Sequence, residues 1–119
     1  MVTTELFRRD EEAIAFATGT TIFNEGDAGD VMYVVVEGEV NLIVHGTLVE
    51  TLKPGGMFGE MALLAKKEPR SASAVAATDC KLSPIDAKRF MFLIQQTPYF
   101  ALQLMQVVAD RLREMDKRL

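Results

Sequence analysis

Glu60 and Arg70 are the two residues of this sequence whose types and spacing best fit chemistry at a ligand. They lie ten positions apart. The first sits in Phe58-Gly59-Glu60-Met61-Ala62-Leu63-Leu64. A polar loop from Ala65 to Glu68 follows, and then Pro69-Arg70-Ser71-Ala72-Ser73-Ala74-Val75. Arginine offers a planar fork of donors that matches phosphate oxygens. Gly59 lets the backbone come close to a bound group. Met61 to Leu64 are good helix formers and predict a one-turn helix, whose leading N–H groups suit an anion. Ser71 adds a hydroxyl and a backbone donor, while Ala72 and Ala74 leave space. Glu60 repels a phosphate but accepts a hydrogen bond from a neutral hydroxyl. Gly59, Glu60, Met61, Ala62, Arg70, Ser71 and Ala72 therefore fit a ligand carrying a phosphate and an adjacent sugar hydroxyl. Taken singly, Arg70 is a surface ion-pair residue, Glu60 a helix N-cap and Ser71 a strand-edge hydroxyl. The spacing is what favours a site.

The elements that position these residues are short. All eight glycines fall between Gly19 and Gly59, in a stretch rich in Val, Ile, Thr and Phe. Strands with turn signals every 8–12 residues read as an antiparallel sandwich or barrel. They are expected near 13–16, 20–23, 31–37, 39–44, 48–53, 57–58, 72–77 and 80–85. The run Val31 to Val36 is too continuously apolar for a half-wet strand, so it is expected to be covered on both sides or to line a barrel interior. Glu37-Gly38-Glu39, His45-Gly46 and Lys53-Pro54-Gly55-Gly56 are the turns. From Asp86 glycine disappears. Asp86 caps a helix through Phe90, Leu93 and Ile94, and Thr97-Pro98 opens a second helix to the C-terminus. Along it Leu102, Met105, Val108, Leu112, Met115 and Leu119 form a near-heptad seam. A short helix from Thr3 or Thr4 to about Glu12 leads the chain. The expected fold is mainly β with flanking α-helices: one domain over 1–119, with a jelly-roll-like β-roll (a double-stranded β-helix) at about 13–85 and C-terminal helices at about 86–119.

Composition excludes several classes. The 119 residues fit one domain, and 49% hydrophobic content at a net charge of −4 fits a globular chain. Acids outnumber bases twelve to five before Arg70, and bases outnumber acids eight to five from Arg70 on. That excess is too small for a phosphate-tracking surface, so nucleic-acid binding is not expected. One cysteine, Cys80, and one histidine, His45, exclude an internal disulfide and a four-cysteine cluster. They also argue against a zinc site, a histidine-rich metalloenzyme and any nucleophilic triad. No metal, catalytic residue or enzyme activity is expected. The sequence lacks an 18-residue apolar run and a signal peptide, so a cytoplasmic, membrane-free setting is expected. Cys80 reads as a buried strand residue, and the seven methionines as core filler. His45 and the Glu25, Asp27, Asp30 cluster read as solvated turns, and Arg8 to Glu12 as an exposed helix face.

The 58–75 segment resembles the phosphate-binding cassette of cyclic-nucleotide-binding domains, the sensory modules of catabolite activators, gated channels and kinase regulatory subunits. The resemblance covers about residues 12–119. It includes the Ile22-Phe23-Asn24-Glu25-Gly26-Asp27 turn, the Tyr33 to Leu42 strand pair and the Pro54-Gly55 turn. It implies that Arg70 pairs with a cyclic phosphate and that Glu60 accepts from the ribose 2′-hydroxyl. Amides of Gly59 to Ala62, with Ser71, complete the cradle. Val36, Leu42 and Val44 line the base, and the C-terminal helix closes over it. Phe58 reads as core.

The implied function is a non-enzymatic sensor of a cyclic purine mononucleotide, cAMP first. Ser71 could also reach a guanine amino group, which leaves cGMP open. The transcription factors of this family continue into a helix-turn-helix, whereas this sequence ends at Leu119. The implied partners are the nucleotide, a second copy through the C-terminal seam and an unidentified protein target. The competing reading is a protein-interaction module of the same fold with an empty or differently occupied pocket.

Overall fold

The computed structural model describes Phe7, residues 10–65 and residues 68–118. In chain order the elements are β1 (Ile14–Phe16), β2 (Thr21–Phe23), β3 (Met32–Glu37), β4 (Val40–Val44), β5 (Thr47–Leu52), β6 (Met57–Phe58), α1 (Met61–Leu64), β7 (Ser73–Ala76), β8 (Cys80–Ile85), α2 (Ala87–Gln96) and α3 (Pro98–Arg118). The strands form two four-stranded sheets, ordered β1-β8-β3-β6 and β2-β7-β4-β5, with every pair antiparallel. This is the expected jelly-roll, followed by C-terminal helices. The chain divides into two compact units, 1–87 and 88–119.

In the first unit the core draws on both sheets. Val35, Phe58, Cys80 and Leu82 come from one, and Val40, Leu42, Leu52, Ala74 and Ala76 from the other. Strand β3 is buried on both faces, as its apolar run predicts. Tyr33 and Val35 pack into the shared core, while Met32 and Val34 are fully buried on the opposite face. A bulge leaves Val36 between the pairs Val35↔Leu82 and Glu37↔Lys81, which extends the buried run by one residue.

The turns follow local chemistry. His45 and Gly46 both take positive φ (49° and 78°), the two-residue form that suits the right-handed twist of a hairpin. Gly38 has φ +78°, and a Cβ there would lie 2.2 Å from the Asp79 carbonyl oxygen, so glycine is needed on two counts. The leading helix expected from Thr3 or Thr4 lies outside the described residues except at Phe7, which is helical and buried. It does not reach Glu12. Glu11 and Glu12 form a turn in which the Asp10 carboxylate accepts from the Glu12 N–H, an arrangement that competes with helix. The same carboxylate accepts from the hydroxyl of Ser83, a fully buried residue of β8.

In the second unit Phe90 and Leu93 are the buried residues of α2. Phe90 meets Phe100 of α3 edge to face, with centroids 6.3 Å apart. The seam expected on the last helix is not its buried face. Phe100 and Leu104 are buried, whereas Leu102, Met105 and Leu112 are 58%, 63% and 58% exposed. Leu119 lies outside the described residues. No helix among the described residues is long and apolar enough to cross a membrane.

Candidate functional site

Gly59 begins the site. Its φ of +79° reverses the chain between β6 and α1, which a side-chain-bearing residue adopts at a cost. A Cβ there would also lie 2.9 Å from Nη1 of Arg70. Glu60 follows as the N-cap residue of α1 in right-handed helical geometry, yet its side chain makes no capping hydrogen bond. The N-cap alternative for Glu60 thus holds for position and fails for the carboxylate. That carboxylate belongs to a residue only 5% exposed, unusual for glutamate. Met61 is exposed and Ala62 half-buried.

Arg70 is anchored from both directions. Its N–H donates to the Asp27 carbonyl (2.8 Å), and its carbonyl accepts from the Gly26 N–H (2.8 Å). These two bonds fix the chain to the 24–27 turn just before β7. The guanidinium donates through Nη2 to the Val31 carbonyl (2.8 Å) and through Nη1 to the Gly59 carbonyl (3.3 Å). It lies over the Phe23 ring, 4.1 Å from the centroid. Its Nε is buried and has no hydrogen-bond partner among the described residues. Burial pulls the Arg70 pKa below its ordinary value, and Tyr33, Asp30, Asp27 and Glu60 pull it back up. Among the described residues Arg70 is therefore a cation held by carbonyls and an aromatic face rather than a surface ion-pair residue.

Ser71 is exposed and Ala72 half-buried, both in the bend that leads into β7. The structure thus brings Gly59, Glu60 and Arg70 together, with Met61, Ala62, Ser71 and Ala72 flanking them in sequence. Of the residues expected at the base, Val36 and Leu42 are buried and Val44 is half-buried. Leu42 belongs to the inter-sheet core. Phe58 is fully buried, as expected.

Sequence reasoning missed the residues that hold Arg70: Phe23, Gly29 and the carbonyl of Val31. Only the general glycine signal pointed to Gly29. The expected solvated turns are also more tied down than their composition suggests. Glu25 accepts from the His45 N–H (2.9 Å), and its carboxylate lies 3.2 Å from the His45 Nδ1. Glu25 also donates its own N–H to Ser73 Oγ (2.9 Å). Among the described residues no group of three or more metal-ligating side chains is assembled. Cys80 is buried, and burial first, then Asp79, raises its thiol pKa.

The fold is a jelly-roll of two antiparallel four-stranded sheets, with an anchored arginine and a buried glutamate beside the short helix α1. Comparison with known families agrees. The cyclic nucleotide-binding domain family matches over residues 13–97, and this chain belongs to it. The chain is 41% identical over 109 residues to the cyclic AMP receptor protein of Thermus thermophilus, covering 87% of this chain and 50% of that protein. It is 43% identical over 72 residues to the cAMP-dependent protein kinase regulatory subunit of Eremothecium gossypii, covering 60% of this chain and 16% of that protein. The crystal structure of the Thermus thermophilus catabolite activator protein superposes with a TM-score of 0.79 at 34% identity, over 98% of this chain and 57% of that one. The chain therefore spans half or less of the curated relatives it resembles here.

Proposed function

We propose that this protein senses a cyclic purine mononucleotide, cAMP first and cGMP second, without catalysing a reaction. Residues 1–119 act as one domain in this reading, with the roll at 13–85 and the helices at 86–119. The observation that carries it is the state of Arg70: a positioned guanidinium, bonded to the carbonyl of Gly59 next to the buried Glu60, with a buried Nε–H that has no partner among the described residues. A buried donor without an acceptor costs about 1–3 kcal/mol, and a phosphate oxygen is the acceptor that an arginine fork fits best.

Arg70 takes the cyclic phosphate, helped by the amides of Gly59 to Ala62 and by Ser71 and Ala72. Glu60 accepts from the ribose 2′-hydroxyl. Its carboxylate would repel a second phosphate oxygen, so the two residues read different parts of the ligand. The names of the two relatives support cAMP for them, and the same ligand is proposed here.

Binding is passed on through α2 and α3. The exposed stripe of Leu102, Met105 and Leu112 favours a homodimer through α3, with the nucleotide altering that pairing or a protein target's access to it. The test is thermal unfolding with cAMP, cGMP and, as control, AMP. Ligand at 100 times its Kd adds about 2.7 kcal/mol, several degrees in a domain of this size. A shift with a cyclic nucleotide and not with AMP supports the reading. No shift, with no nucleotide released from the denatured protein by mass spectrometry, rejects it in favour of an interaction module.

A further inference from the structure

The guanidinium of Arg70 lies in a slot. One wall is the Phe23 ring, 4.1 Å from the Arg70 Cζ. Another is Gly29, where a Cβ would lie 2.3 Å from Nε, 2.4 Å from Cζ and 2.5 Å from Nη2. No side chain fits between that backbone and the guanidinium. The φ of Gly29 is outside the left-handed region, so backbone strain does not demand glycine there. The close approach does. The carbonyls of Val31 and Gly59 fix the rotation of the fork by two hydrogen bonds. Phe23 is also tied to the other arm of the site. Its ring lies 5.9 Å from that of Phe58, which immediately precedes Gly59 and Glu60.

We infer that Phe23 and Gly29 are positioning residues for nucleotide binding, forming a slot that presents the Arg70 fork to the phosphate in a preset orientation. This rests on the sensor function proposed above. An arginine free in solvent loses rotamer entropy when it grips an anion, and a side chain held in advance has already lost it. The aromatic wall does this by two means. It restricts the fork to one plane, and its π face partly replaces the water that burial removes from the cation. An aliphatic side chain of similar volume supplies neither. Because β2 and β6 meet at Phe23 and Phe58, the two halves of the site are also held at a fixed separation.

The experiment uses the full chain and four proteins: wild type, Phe23→Leu, Phe23→Tyr and Gly29→Ala. Calorimetry with cAMP and cGMP gives affinity, thermal unfolding gives Tm, and NMR of the Arg70 side chain gives its ring-current shift. Phe23→Leu is expected to weaken binding about fivefold, the equivalent of about 1 kcal/mol of cation–π contact at 1.4 kcal/mol per tenfold. Phe23→Tyr keeps the π face and restores wild-type affinity. Gly29→Ala pushes the guanidinium out of the slot without straining the backbone. It is expected to keep its Tm within a few degrees while losing about tenfold in affinity.

The Arg70 Nε proton is expected upfield in the wild type and near its ordinary position in Phe23→Leu. Wild-type affinity in Phe23→Leu or in Gly29→Ala overturns the inference. So does equal weakening by leucine and tyrosine, because that marks packing alone. An unshifted Nε proton in the wild type overturns the slot whatever the binding data show. A shifted proton in a wild type that binds neither cyclic nucleotide leaves the slot standing but removes the sensor function, and the positioning role with it.

Discussion

Arg70→Ala separates folding from binding more sharply than any other change. In the folded protein the guanidinium makes two hydrogen bonds to carbonyls and one cation–π contact. Its removal forfeits these, but it also relieves the cost of holding a cation where burial disfavours its charge. The backbone bonds of residue 70 to Gly26 and Asp27 do not depend on the side chain. The net stability loss is therefore expected at about 1–2 kcal/mol, within the ordinary range for single substitutions. Binding suffers more. Truncating one partner of a buried, hydrogen-bonded charge pair costs about 2–5 kcal/mol. That is roughly 30-fold to 4,000-fold in Kd. Isothermal calorimetry with cAMP at fixed ionic strength reads this directly, with circular dichroism as the check on folding. Arg70→Lys keeps the charge and loses the fork, so it is expected to fall between alanine and wild type. A folded Arg70→Ala protein that binds within about threefold of wild type would refute the assignment of Arg70 to the phosphate.

Three further outcomes are expected. Glu60→Gln is expected to weaken cAMP binding about tenfold and to leave binding of the 2′-deoxy analogue almost unchanged, which a calorimetric cycle over the two ligands measures. Thr18 donates its N–H and its hydroxyl to the Asp79 carboxylate (2.9 Å each), and these bonds hold the Asp79 pKa below its ordinary value. A carboxylate depressed by folding contributes stability that is present above its unfolded pKa and lost as pH falls through the folded one. Thr18→Val, which removes the hydroxyl donor, is therefore expected to reduce the loss of stability below about pH 4 in urea titrations. Leu102→Glu with Met105→Glu is expected to turn a dimer into a monomer by sedimentation velocity while helix content is kept. A wild type that sediments as a monomer throughout the concentration range refutes pairing through α3.

Much of this arrangement was legible from local sequence. The strands fall within a residue of where glycine, proline and the apolar runs place them, because those signals act over one to four positions. Pro54 and Gly55 illustrate this: proline presets φ at one turn position, and Gly55 takes φ +91° at the next. Gly59, Glu60 and Arg70 were legible as a group because their types are mutually informative at that spacing. The grip on Arg70 was not. Phe23, Gly29 and Val31 lie 39 to 47 positions before it, and only the pairing of β2 with β7 brings the 24–27 turn alongside. The last helix was legible as an apolar stripe but not in its contacts. Periodicity finds an apolar stripe, but the stripe through Leu102 and Met105 is exposed, and Phe100 and Leu104 are buried instead. Apolar spacing identifies a contact face without saying which contact it serves.

The buried Cys80 has a practical consequence. It is the chain's one thiol, it is 5% exposed, and its raised pKa keeps it protonated at neutral pH. Thiol-directed dyes react with the exposed thiolate and so pass it by. A cysteine introduced on the protein's surface would be labelled selectively without first replacing the native one. The chain also has no tryptophan, so one introduced tryptophan would be the single indole, selected over the two tyrosines by excitation at the red edge of its band. A dye on the exposed Leu112 position of α3 and a tryptophan on the β4–β5 hairpin would each be the single label of its kind. The protein's own composition thus suits conversion into a fluorescent reporter with two substitutions.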